Sequence, residues 1–204
     1  LGAAGAEPPT SHDILFDASL FAKSVRPTAY KNLHLLPATT ALAAAEVEMV
    51  NLPVRELRLR QALMTDKHDY VFIDCPPALG LLTINALCAA DYVLIPVQAE
   101  YYALEGLSQL LEVVQIVRGR LNPPLELLGV VLTMYDKRTS LAEQVRAELV
   151  KHFGNKLFTA TIPRNVRLAE APSYGQTILD YDKWSKGARA YKQLAQEVSS
   201  RVSR

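Results

Sequence analysis

Two kinds of hydrophobic pattern alternate along this chain. In one, apolar residues predominate over six to eleven residues without helical spacing. Such runs predict buried strands. They fall at 32–39 ("NLHLLPAT", ended by Pro37), 69–74 ("DYVFID"), 90–98 ("ADYVLIPVQ", stopping near Pro96), 125–135 ("LELLGVVLTMY") and 156–163 ("KLFTATIP"). In the other, apolar residues recur every three or four positions, as on one face of a helix. That spacing predicts helices at 13–24, 40–49, 53–64, about 80–89, 103–121, 140–154 and 182–202. Pro53 suits a helix start and Gly154 a helix end. Strands that are apolar throughout, separated by helices, predict an α/β fold: a mostly parallel central sheet with helices on both faces, in three layers. With no repeat or low-complexity tract, residues 1–204 are expected to form a single domain.

The run at 69–74 ends in an acid, Asp74, followed by Cys75, Pro76 and Pro77. The prolines cannot donate ladder hydrogen bonds, so the strand is expected to stop there. A carboxylate at the C-terminal end of a buried strand sits where open α/β sheets bind ligands. Asp74 can hold Mg²⁺ through water, as a Walker B acid does, or it can simply cap the following loop or helix. The residues alone leave both open. A Walker B acid requires a P-loop, GxxxxGK[ST]. None of the nine glycines is followed by lysine, and "GAAGAE" (2–7) lacks it too. The phosphate cradle is absent from this sequence.

Composition narrows the picture further. The net charge of +1 announces no global field for nucleic acid, so any such binding must come from local patches. No apolar run approaches the ~20 residues of a membrane-spanning helix, and no signal peptide is expected. The chain opens on Leu1 and a small, polar, proline-containing stretch, as if it began inside a longer protein. Cys75 and Cys88 form no CxxC, and both are expected to be inert thiols in a reducing compartment. His12, His34, His68 and His152 are scattered, and no catalytic or metal role is expected of them. The pair Tyr101-Tyr102 is expected to pack rather than to meet a partner.

Three stretches together carry a resemblance: "DYVFIDCPPALGLLTINALCAADYVLIPVQAEYYALEGL", "TMYDKRTSLAEQV" and "IPRNVRLAEAPSYGQTI". In order and spacing they resemble the ParA-type partition ATPases, including the Soj branch, of the deviant-Walker P-loop class. The match runs from about residue 13 to the C-terminus. Missing are the family's first strand, its KGGxGKT P-loop and helix, and the next strand with its switch acid. The resemblance therefore implies a P-loop NTPase-like fold that is N-terminally truncated.

It also implies roles. Asp74 matches the Walker B acid, orienting the water shell of Mg²⁺, and residues 75–80 match the second switch. Residues 98–105, beginning at Gln98, match a stretch near the nucleotide and the dimer partner. Met134 and Asp136, with Pro163 and Arg164, match loops around the adenine of ATP. Arg138 and Arg167 match arginines that hold DNA without sequence preference, a task suited to guanidinium forks. Read without the resemblance, they are solvated loop residues or structural partners of Asp136 and Glu170. Lys186 and Arg189, with Lys183 and Lys192, either widen a phosphate-binding stripe or form an ordinary exposed helix face.

The function implied is DNA partitioning by an ATP-bound homodimer that binds DNA nonspecifically, is stimulated by a ParB-type centromere-binding protein, and is cytoplasmic and nucleoid-associated. The residues present are not expected to hydrolyse ATP by themselves. One alternative is a MinD-like membrane-associated ATPase; the ending "AQEVSSRVSR" is short of large apolar residues, so no membrane partner is expected. The other is a non-catalytic ParA-like module that binds DNA or a partner. A last expectation concerns packing. In this class the P-loop strand lies beside the strand ending in Asp74, so without it Val71 and Ile73 should be bared and their backbone left unpaired.

Overall fold

The computed structural model describes residues 6–100 and 103–202; Tyr101-Tyr102 lie outside them. The chain divides into two compact units, one of residues 6–91 and 112–125, the other of residues 92–111 and 126–202.

The N-terminal unit is mainly helical: α1 (Ser11–Phe16), α2 (Phe21–Ser24), α3 (Leu42–Glu48), α4 (Arg58–Leu63) and α5 (Leu81–Ala89), with β1 (Arg26–Pro27) antiparallel to β2 (His34–Leu35). Thr10 N–H donates to the Asp13 carboxylate at 2.7 Å, closing the start of α1. Arg58 donates to the carbonyls of Leu15 and Phe16 at its other end. Ile14, Phe21 and Ala62 form one buried cluster; Leu15, Ala45 and Met49 form a second, against Leu81 and Leu82. Asn85 is buried because its amide has three partners. It accepts from Leu59 N–H at 3.1 Å and donates to the carbonyls of Arg55 at 2.8 Å and Leu81 at 3.0 Å, tying α4 to α5. Asn122, equally buried, donates to Leu87 and Ala90 at the end of α5.

The C-terminal unit carries the parallel sheet. Strands β3 (Tyr92–Gln98) and β4 (Glu126–Thr133) pair from Tyr92↔Glu126 to Gln98↔Thr133. Parallel bridges Val130↔Leu157 and Tyr135↔Pro163 continue the ladder. Ile95, Val97, Val130 and Leu132 face Leu107 of α6 (Ala103–Arg120) and Ala142, Val145 and Leu149 of α7 (Ser140–Phe153). On the opposite side Leu128, Val131, Phe158 and Ile162 face Leu168 of α8 (Val166–Glu170) and Ala190, Leu194 and Val198 of α10 (Lys186–Val202); α9 (Ile178–Tyr181) lies between these helices in sequence. Helix, sheet and helix make the three layers expected from strands apolar on both faces.

One fitting holds the second face together. The register slips between Val93 and Leu94, opposite Leu128, and Gly129 has φ +157°. A Cβ on Gly129 would stand 2.3 Å from the Lys156 carbonyl and 2.6 Å from Arg201 Nη1, so only glycine fits. Arg201 fills that gap. It donates to the carbonyls of Leu128, Lys156 and Leu157 at 3.0–3.3 Å and to Glu197 at 2.8 Å, with its guanidinium 3.8 Å from the Phe158 ring centroid. Glu197 in turn accepts from Thr159 and Ala160 N–H, both at 3.0 Å. Two side chains of α10 thus satisfy the backbone of 156–160. This is why "KLFTATIP" lies beside β4 touching it by bridges rather than forming a full strand.

Other expected elements change for local reasons. Residues 69–74 are not a strand: no backbone hydrogen bond joins them to another described residue. Tyr70, Val71 and Phe72 are 48%, 51% and 82% exposed, as the lack of a neighbouring strand requires. Strand β3 does not stop at Pro96. Ala99 N–H bonds to Thr133 O, so alternate residues back along β3 face β4 and Pro96 faces the other edge, where no donor is missed. The strand at 32–39 shrinks to β2, because its partner β1 is two residues long. The helix at 13–24 breaks at Asp17, whose extended backbone caps the turn that follows. The helix at 53–64 becomes regular only from Arg58, and the last helix only from Lys186.

Removing the Arg201 fitting should cost about 2–3 kcal/mol, because several charge-assisted bonds go at once and carbonyls of 156–157 lose their donor. Arg201→Ala should show this in urea unfolding, with the slope unchanged. Burial acts to raise the Glu197 pKa, but the Thr159 and Ala160 N–H groups and Arg201 outweigh it and leave the carboxyl below its usual range. A lowered folded pKa means this contribution is complete above the unfolded carboxylate value, about 4.3, and fades as pH falls through the folded one. Glu197→Gln should therefore be less stable at neutral pH and lose less stability on acidification.

Candidate functional site

The carbonyl ends of β3 and β4 open onto one edge of the C-terminal unit. Gln98 lies opposite Thr133, and Thr133 Oγ1 donates to Val97 O at 3.2 Å. Beyond Thr133 the chain turns sharply at Met134, whose φ is +52° and whose side chain is 46% exposed. A non-glycine residue held at positive φ is strain that the flanking structure must hold. Tyr135 N–H provides the hold, donating to Ile162 O at 3.1 Å. That bond brings the 134–136 loop beside Pro163 and Arg164, and Arg164 reaches Glu100 at 3.6 Å. Gln98, Met134, Asp136, Pro163 and Arg164 are therefore gathered on one edge, with Gln98 and Arg164 exposed.

Asp136 is the electrostatic centre of this edge. Arg138 Nε lies 3.0 and 3.2 Å from its two oxygens, Nη2 lies 2.7 Å from Oδ2, and the Arg138 N–H donates to Oδ1 at 3.0 Å. The Arg138 side-chain bonds, then its N–H, lower the Asp136 pKa to about 2, and the charge of Lys186 adds to this. The first residue of α10 thus acts on the loop leaving β4. Arg138 remains 84% exposed at its side chain.

Arg167 is also paired. Its N–H is capped by the Asn165 side chain at 2.9 Å; its guanidinium meets Glu170 at 3.0 Å and Asp182 at 3.7 Å, and lies 6.0 Å from the Tyr181 ring centroid. Tyr181 stacks on Tyr174 at 5.2 Å. The pairing of Arg138 with Asp136 and Arg167 with Glu170 is the structural alternative left open by the sequence. Lys186, Arg189 and Lys192 are exposed along α10, away from buried Gly187, Ala188 and Ala190; none forms an ion pair with a described residue. Trp184, which the pattern of the sequence did not bring forward, is 79% exposed just before α10. Its signal was a large aromatic side chain in a polar helix entry.

Asp74 belongs to the N-terminal unit, exposed, at the end of the unpaired stretch. It does not cap α5. That role falls to Glu46, which accepts from Leu82 N–H at 3.1 Å and approaches so closely that a Cβ on Gly80 would stand 2.2 Å from its oxygen. Among the described residues no group of three His, Cys, Asp or Glu side chains could hold a metal ion. Both ring nitrogens of His68 are occupied, by Asp66 at 2.6 Å and His34 at 2.9 Å. Cys75 and Cys88 are free, and both thiols are pushed up: Cys75 by the protein atoms around it and then Asp74, Cys88 by burial and then Glu56. No helix among the described residues is long and apolar enough to cross a membrane.

Residues 7–127 match the family described as an AAA domain. The chain is 53% identical over 191 residues to the sporulation initiation inhibitor protein Soj of Bacillus subtilis, covering 93% of this chain and 76% of that protein. It is 56% identical over 169 residues to the chromosome-partitioning ATPase Soj of Thermus thermophilus, covering 83% and 67%. The chain belongs to the ParA/Soj family of chromosome-partitioning ATPases. Its fold is similar to that of cobyrinic acid a,c-diamide synthase from Mycobacterium smegmatis, solved with an ATP analogue and magnesium: TM-score 0.76 and 33% identity, over 93% of this chain and 70% of that one. The ParA/MinD-type P-loop fold is therefore shared.

In this ParA/Soj chain, Asp136 should titrate near pH 2 by NMR of its side-chain carboxyl. In Arg138→Ala the midpoint should return toward the ordinary 3.8. A midpoint that stays near 2 without Arg138 would show that another group holds the charge.

Proposed function

We propose that the C-terminal unit presents two adjoining surfaces of a ParA-type partition ATPase: an adenine-binding edge at Met134, Asp136, Pro163 and Arg164, and a sequence-independent DNA-binding face at Arg138, Arg167, Lys186 and Arg189. The observation that carries this is the exposure of all four cations, Arg138 keeping 84% of its side chain open while it lies 2.7 Å from Asp136. Gln98 ends β3 at the same edge. Phosphate competes with Asp136 and Glu170 for the two arginines, whose guanidinium groups have donors to spare. DNA partitioning by such a protein would use an ATP-bound homodimer on the nucleoid, with hydrolysis stimulated by a ParB-type partner. Against a membrane role, Leu194, Val198 and Val202 of α10 are already packed on the sheet.

Magnesium does not fit the residues present: Asp74 stands exposed, with no companion ligands among the described residues. With no GxxxxGK[ST] in the 204 residues, the β- and γ-phosphates lack a nest of backbone N–H groups and its lysine. No hydrolytic step is assigned to this chain. Residues 1–204 should release no phosphate from ATP above a buffer control, and turnover abolished by Asp74→Ala would contradict this.

The DNA face has its own test. Arg138→Glu with Arg167→Glu should weaken binding to unrelated duplexes alike. The slope of log affinity against log salt should fall by about 0.9 for each phosphate the protein no longer neutralises. Unchanged affinity at low salt would return both arginines to a structural role. A chain that binds DNA in this way without turning over ATP would fit the reading as a non-catalytic module equally well, and joining it to a family P-loop segment separates the two: restored hydrolysis belongs to the ATPase.

A further inference from the structure

The exposed Trp184 is the residue the proposed DNA face leaves unused. Tryptophan carries a large apolar surface that proteins ordinarily cover, yet Trp184 is 79% exposed. Its backbone is fixed: Trp184 N–H donates to Asp182 Oδ1 at 3.2 Å. The other oxygen of the same carboxylate lies 3.7 Å from Arg167 Nε. One carboxylate therefore contacts both the Trp184 backbone and the arginine expected to hold a phosphate. Lys183 Nζ lies 5.3 Å from the ring centroid. Further along α10, Lys186, Arg189 and Lys192 are exposed without an ion-pair partner among the described residues. Tyr174, 67% exposed, ends a second stack through Tyr181 to Arg167.

Exposed cations, of which Arg167 must exchange its carboxylate partners for phosphate, together with exposed aromatic residues fit a partner bearing regular negative charge and free π-faces. Duplex DNA offers the charge but keeps its base faces stacked. We infer that Trp184 is a stacking platform for an unpaired base, so that this face binds single-stranded DNA, with Arg167 and Lys183 holding the flanking phosphates. The inference rests on the reading of this surface as a DNA-binding face, and adds to it a preference that phosphate contacts alone cannot create.

Trp184 is the one tryptophan in the 204 residues, so the chain's own fluorescence reports on it. The purified chain is titrated at low salt with a 20-nucleotide oligo(dT) and with a 20-base-pair duplex. Saturable quenching by oligo(dT), reversed by salt and much smaller with duplex at equal occupancy, is expected. Trp184→Ala should lose about 5- to 150-fold in oligo(dT) affinity, the range of one base–aromatic stack, and stay within about twofold on duplex. Trp184→Phe should recover part of the loss. Emission unmoved at saturating oligo(dT), equal quenching by duplex, or an unchanged affinity in Trp184→Ala would overturn the inference. The Arg138→Glu, Arg167→Glu protein keeps the failures apart. If it loses duplex binding while emission never responds, the DNA face stands and the stacking platform falls. If duplex binding survives both substitutions while Trp184→Ala still loses oligo(dT), the platform stands and the arginine assignment falls.

Discussion

The C-terminal unit depends on how the backbone of residues 156–160 is satisfied. Backbone N–H and C=O groups need partners, and here some of those partners come from a helix. Arg201 and Glu197, one turn apart on α10, take up the carbonyls of Lys156 and Leu157 and the N–H groups of Thr159 and Ala160. That arrangement needs Gly129, because any side chain there would occupy the space of the Arg201 guanidinium. It fixes α10 against the sheet at its C-terminal end and leads the chain to Ile162, which accepts from Tyr135 N–H. The position of Pro163 and Arg164 beside Met134 and Asp136 follows from it. So does the placing of Lys186 at the opposite end of α10, within electrostatic reach of Asp136.

Much of this was legible because burial on two faces leaves a strong mark. The runs at 90–98 and 125–135 are apolar throughout, and both are strands with helices on either side. The run at 69–74 looks the same in sequence and is not a strand. Its residues carry the preference for a sheet, but a strand exists only with a neighbour to bond to, and a single segment cannot state whether its neighbour is present. The exposure expected without a P-loop strand is seen at Val71 but not at Ile73, which is of intermediate burial. β1 escaped notice because Arg26–Pro27 has neither length nor apolar character. Pro96 misled for a different reason: a proline ends a strand only if its missing donor faces a partner.

The site divides along similar lines. The resemblance put Met134, Asp136, Pro163 and Arg164 in loops that follow two strands, and strand ends in one sheet are brought together by topology. It left the state of the arginines undecided, because Arg138 can meet Asp136 or a phosphate with the same donors. The structure shows the first, and the second requires exchange of partners. That gives the proposed DNA contact a built-in competitor, which weakens it, while its salt dependence follows from the phosphates neutralised. Trp184 was invisible to periodicity because it lies outside any helix or strand, placed by a single carboxylate.

The C-terminal unit is an ordered three-layer body, whereas the stretch ending in Asp74 is largely exposed and lacks backbone–backbone pairing. Amide hydrogen exchange, resolved by residue on the 204-residue chain, measures both halves at once. The amides of Ala99, Phe158 and Ile162, each bonded across the sheet, should exchange far more slowly than unstructured peptide. Those of Val71, Phe72 and Ile73 should exchange at close to the unstructured rate. Protection of Val71–Ile73 equal to that of Phe158, or free exchange at Phe158 and Ile162, would contradict the account.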